Sequence, residues 1–147
     1  MKNLFFILFF LGLSIVNSQV VVEEANPPVK IPLKLSGNFG ELRSSGFHSG
    51  IDIKTLGREG LEIKSIDNGY ISRISISLSG FGKAIYITHP NGFTSVYAHL
   101  SRFNEKIEKL INAYQYQKKS FVINKFFKKD EFIISKDDVI GFSSLGC

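Results

Sequence analysis

From Leu35 onward the chain is cut into short runs of β-branched and aromatic residues by clusters of Gly, Asn, Asp and Ser. Runs such as "LEIKSI", "YISRISISL", "KAIYIT" and "FTSVYAHL" have strand length, and the segments between them are too short to hold helical crossovers. Short turns between such runs point to a mainly antiparallel β fold. "DNG" at Asp67–Gly69 and "HPNG" at His89–Gly92 read as hairpin turns. One stretch changes period: Phe103, Ile107, Leu110, Ile111 and Tyr114 follow helical spacing. Asn104 is placed to cap that helix, and Glu105 and Lys109 form an i, i+4 pair on it. "SFVINKFF" and "EFIISKDDVIGFSS" then add further strands around a turn at Lys136–Asp138.

The single cysteine, Cys147, allows no internal disulfide, so the fold has to hold by its core. The chain has 147 residues, a length suited to one domain. Lys2 followed by the thirteen-residue apolar run "LFFILFFLGLSIV" and then "NSQ" has the layout of a secretory signal with cleavage after Ser18. The run is short of the roughly 20 apolar residues of a spanning helix, so membrane contact is expected only through this segment if it stays uncleaved. The expected organisation is a signal at residues 1–18, an N-terminal arm at 19–34 and one domain at 35–147. Export to the periplasm, cell envelope or exterior follows from the signal. The net charge of +5 matches the surplus between Ser101 and Lys136, where nine Lys or Arg face four acidic residues. Those cations are spread out rather than clustered, which argues for a solvated basic face and against a nucleic-acid partner.

"GFHSGIDIKT" carries the chemistry. On a straight strand His48 and Asp52 would lie about 13 Å apart, at roughly 3.3 Å per residue. Ser49-Gly50 instead allows a bend that folds His48 back beside Asp52, with Ile51 and Ile53 expected to face the core. A converging imidazole and carboxylate make an edge on which zinc binds. A turn histidine beside an exposed aspartate is the plainer alternative. His99, at the end of "SVYAHLS", is expected to share a strand face with Tyr97 and Ser95. That is a rigid place for a catalytic base, or for a half-buried histidine bonded to a backbone carbonyl. His89, inside its turn, reads as a turn residue.

"FGELRSSGFHSGIDIKT", "NGYISRI", "GFGKAIYITHPNG" and "TSVYAHLSRF" occur in that order. Together they resemble the lysostaphin-type, or LytM-like, zinc metallopeptidases that cut peptidoglycan cross-links, and the likeness runs from about Leu35 to Ser144. The resemblance implies an antiparallel, sandwich-like β domain with a groove across its sheet and one inserted helix. It implies a zinc cofactor with His48 and Asp52 as its first two ligands, and His99 as a catalytic histidine. It implies peptidoglycan peptides as the substrate, with a non-catalytic envelope module that holds wall peptides or regulates a partner hydrolase as the alternative. The family takes its third ligand from a late His-x-His motif, expected soon after "VIGFSS". Here the sequence reads "VIGFSSLGC", and no histidine follows His99. The expectation is a chain interrupted before that ligand and before the strand that closes the groove, with weak zinc binding. Cys147 is a thiolate by chemistry, but its position matches nothing in the family.

Overall fold

The computed structural model describes residues 25–44, 46–129 and 131–145. The signal-like segment 1–18 and Cys147 lie outside them.

The centre is an antiparallel sheet in the order β10-β6-β7-β8-β11-β5, with β9 also paired to β6. Its strands are β5 (Glu62–Lys64), β6 (Gly69–Ile76), β7 (Lys83–Thr88), β8 (Thr94–Phe103), β9 (Ile123–Phe126), β10 (Ile133–Ile134) and β11 (Val139–Ser143). Two small ladders precede it. β1 (Leu35–Gly37) pairs with β4 (Asp52–Ile53), and β2 (Leu42–Arg43) pairs with β3 (Gly46–Phe47). The single helix among the described residues is α1, Glu105–Lys118. The fold is mainly β and antiparallel with one inserted helix, as its alternating runs imply.

Alternation builds the core. Ile71, Ile74, Ile85 and Ile87 turn to one face of β6 and β7, and Ile107 and Ile111 of α1 are fully buried in the same cluster. The α1 ends are satisfied locally. Asn104 Oδ1 accepts from Ile107 N at 2.9 Å, and its Nδ2 donates to Val139 O at 2.7 Å, tying the cap to β11. Lys119 adopts φ 50° and closes the C-terminus by donating to Gln115 and Tyr116 carbonyls.

The two turn signals have different outcomes. His89–Gly92 does join β7 to β8: His89 N donates to Phe93 O at 2.8 Å, and Gly92 takes φ 85°. Asp67–Gly69 does not close a hairpin, because β5 pairs with β11 while β6 pairs with β7. The triplet's polar groups are engaged by distant chain instead. Asn68 Oδ1 accepts from Lys136 N at 2.9 Å, and Asn68 O meets His89 Nδ1 at 2.7 Å. Turn chemistry dictates that the chain reverses; which strand then accepts it is decided by non-local packing.

Candidate metal centre

The β2–β3 hairpin and the bend after it assemble the site. Leu42 pairs with Phe47 and Arg43 with Gly46, which takes φ 129°. That tight return brings Arg43 back toward the residues that follow. His48 N then donates to Glu41 O at 2.8 Å, and Gly40 N donates to His48 O at 2.7 Å, which fixes the backbone around His48. After the bend, Asp52 opens β4 against β1, where Gly37 is its partner. Gly37 leaves room there: a Cβ would meet the tips of the Arg43 guanidinium and the Asp52 carboxylate, which would have to move.

His48 Nε2 lies 3.3 Å from Asp52 Oδ1, and both side chains are mostly shielded, at 16% and 17% exposure. The other heteroatom of each is already held. His48 Nδ1 lies 3.0 Å from the carbonyl of Asn38, which can only accept, so in the neutral ring Nδ1 carries the proton and Nε2 keeps its lone pair. Asp52 Oδ2 takes the Arg43 guanidinium. Arg43 Nη2 also lies 3.4 Å from Glu41 Oε2 and 3.3 Å from His48 Nδ1. With the proton on Nδ1 the latter contact is an approach of two donors and contributes no bond. The Asp52 carboxylate, above all by its hydrogen bond, holds the Arg43 guanidinium above its ordinary pKa; desolvation, the next largest effect, opposes it, and Glu41 adds a smaller rise.

The donor set fits a zinc ion at two corners. Two ligand atoms at zinc bond lengths of about 2.0–2.1 Å stand roughly 3.3–3.4 Å apart in a tetrahedron, and the observed separation is 3.3 Å. The outer partners are those that metal-bound histidines and carboxylates need: a carbonyl on the far imidazole nitrogen and a cation on the far carboxylate oxygen. Among the described residues no third His, Cys, Asp or Glu joins the pair.

The bend at Ser49-Gly50 therefore does bring His48 to Asp52. The expected orientation of the flanking isoleucines is corrected: Ile51 is 55% exposed and Ile53 only half-buried. The two-residue β4 pairs with short β1, away from the main core, so alternation there has no buried face to follow. His99 also differs. It lies inside β8, not at its end, with φ 55°. The ladder shifts register there, Ile85 facing Tyr97 but Lys83 facing Leu100. The extra residue is a β-bulge, which turns Tyr97 and Leu100 inward and leaves His99 exposed. His99 therefore does not share the buried face of Tyr97. Among the described residues its side chain makes no hydrogen bond, and none joins it to His48 or Asp52.

His89 is a turn residue, as expected, and is also buried at 6% exposure. Its Nε2 meets Ser95 Oγ at 2.8 Å, Ser95 meets the Tyr97 hydroxyl at 3.1 Å, and that hydroxyl accepts from Ile66 N at 2.9 Å. The chain leaves residue 66 and returns to residue 68 through Nδ1, so it clasps the β5–β6 connection. Arg43 is the site residue that the sequence reading passed over. The "SSG" turn signal between Arg43 and Phe47 is what could have placed it beside His48.

An antiparallel β domain with a converging His48–Asp52 pair is what fold and site define. Residues 46–116 match the family model described as Peptidase family M23, so this segment is similar to the M23, or LytM-type, peptidases. The matched segment includes His48, Asp52 and His99. No curated protein matches the chain.

Proposed function

We propose that this protein is a zinc metalloendopeptidase that hydrolyses peptide cross-links of bacterial peptidoglycan, exported to the cell envelope by its N-terminal segment. One observation carries the proposal: His48 Nε2 and Asp52 Oδ1 stand at zinc-ligand separation with their far atoms already tied off. His48 and Asp52 would hold the metal. Zinc, when bound, polarises a scissile carbonyl and lowers the pKa of its water. Asn38 O keeps the proton of His48 on Nδ1, so the ligand nitrogen needs no reorganisation. Arg43 holds Asp52 in one rotamer. His99, on a rigid strand, is assigned proton transfer to and from the reacting groups.

A second reading rests on a different observation. Glu41, Arg43, Asp52 and His48 form a continuous chain of contacts in which both oxygens of Asp52 already have partners. Such a network is self-sufficient, and the domain would then hold wall peptides or regulate a partner hydrolase without cutting. Purified sacculi incubated with the protein and added zinc separate the two. The first reading expects new amino groups, lost on chelation and in Asp52→Ala. Co-sedimentation with sacculi and no amine release supports the second, and the absence of both contradicts each.

A further inference from the structure

On the face of the sheet turned away from the core, four strands place one residue each in a row. Phe126 of β9 pairs with Arg73 of β6, Arg73 with Tyr86 of β7, and Tyr86 with Val96 of β8. The register shift between Ile71 and Arg73 is what makes this possible: the extra residue, Ser72, lets Ile71 and Ile74 both point inward while Arg73 points out.

The Arg73 guanidinium is held on three sides. Its Cζ lies 4.6 Å from the Tyr86 ring centroid and 5.5 Å from that of Phe126. Its Nε donates to Asn124 Oδ1 at 2.6 Å. Stacking fixes the plane, and the Nε bond fixes the rotation within it. What remains is the edge formed by Nη1 and Nη2. Among the described residues Arg73 makes no ion pair. None of β6, β7, β8 and β9 contains an Asp or Glu, so no acid on these strands neutralises it.

We propose that Arg73, clamped by Tyr86, Phe126 and Asn124, is a binding site for a peptide carboxylate, which its free edge takes with two parallel N–H···O bonds. A fork whose side-chain entropy is already spent loses little on binding, and its geometry matches a carboxylate rather than a neutral amide. The exposed Phe126 ring, at 66%, supplies apolar contact beside the charged group. The site stands on the sheet face alone, so it holds whether or not the chain cleaves peptide.

The test is an NMR titration of the full chain, following the Arg73 Nε–H and Asn124 side-chain signals at low salt. Four probes are used: acetyl-Ala-Ala with a free C-terminus, the same peptide as its carboxamide, acetyl-glutamate amide, and acetyl-glutamine amide. The expected result is binding by one or both carboxylates at least about tenfold tighter than by the matched amide. The tighter of the two identifies the source as a chain terminus or an acidic side chain. Arg73→Lys keeps the charge but not the fork, and it is expected to lose most of that preference with an unchanged melting temperature. Asn124→Ala, which frees the rotation, is expected to fall between. Equal binding of carboxylate and amide, or a preference unchanged in a folded Arg73→Lys variant, would overturn the proposal.

Discussion

His48 Nε2 and Asp52 Oδ1 face each other at 3.3 Å, while a backbone carbonyl holds the far nitrogen of the ring and a guanidinium the far oxygen of the carboxylate. Two oxygen and nitrogen lone pairs directed at one point are costly to keep together unless something cationic is shared between them. A proton on His48 can serve, and so can a metal. In either case the Asn38 carbonyl accepts from Nδ1 and leaves Nε2 directed at Asp52.

Under the proposed function Arg43 would act on the metal through Asp52. Replacing it with Gln leaves the carboxylate free to rotate, and zinc affinity is expected to fall about tenfold, the usual scale for a lost outer partner. The fold should be unaffected, since the Arg43 side chain is 43% exposed. Zinc titration beside a thermal melt checks both halves. A zinc affinity equal to that of the parent would remove Arg43 from the site.

Gly37→Ala should damage the site without damaging the domain. The added methyl meets only the tips of Arg43 and Asp52, which can swing away, and β1–β4 is a ladder separate from the main sheet. The expected result is a zinc affinity reduced at least about tenfold at a near-parental melting temperature. A variant that unfolds would show that β1–β4 is structurally coupled to the core.

His99 occupies a left-handed backbone conformation that favours glycine. His99→Gly is therefore expected to stabilise the protein by about 0.5–1 kcal/mol in denaturant unfolding. Under the proposed function the same change lowers amine release from sacculi by about 100-fold or more. Opposite signs for stability and activity are the signature of a strained functional residue. A destabilised variant would mean that the imidazole contributes to the fold.

Much of this was legible in the sequence, and the exceptions share a cause. Helix α1 followed from the spacing of Ile107 and Ile111 and from the Asn104 cap, all local signals. The β7–β8 hairpin did too, because its turn and both its strands are contiguous. The partner of β5 was not legible, since β11 is about eighty residues away and turn residues say nothing about it. His99 was misplaced because strict alternation was carried through a bulge, and a one-residue bulge leaves no mark in composition. Arg43 was overlooked because its approach to Asp52 depends on the return of β2 onto β3, a property of the folded hairpin. Alternation around Asp52 turns Ile51 and Ile53 toward a core, but a two-residue strand outside the core gives Ile51 no face to bury.

Tyr97 gives a stability prediction independent of the metal. Its hydroxyl links the Ile66 amide to Ser95 and so to His89. Tyr97→Phe keeps the ring and removes the link, leaving a backbone donor without its partner. The expected loss is about 1–3 kcal/mol by urea unfolding. A loss near zero would mean that water replaces the hydroxyl.

Calorimetric titration of zinc into the apo-protein, with His48→Ala and Asp52→Ala alongside, addresses the central claim most directly. The expected result is one zinc site per chain, weak because only two ligands come from the described residues, and abolished by either substitution. Zinc bound equally well by the parent and by both variants would place the metal elsewhere. No zinc bound by the parent would contradict the metal centre itself.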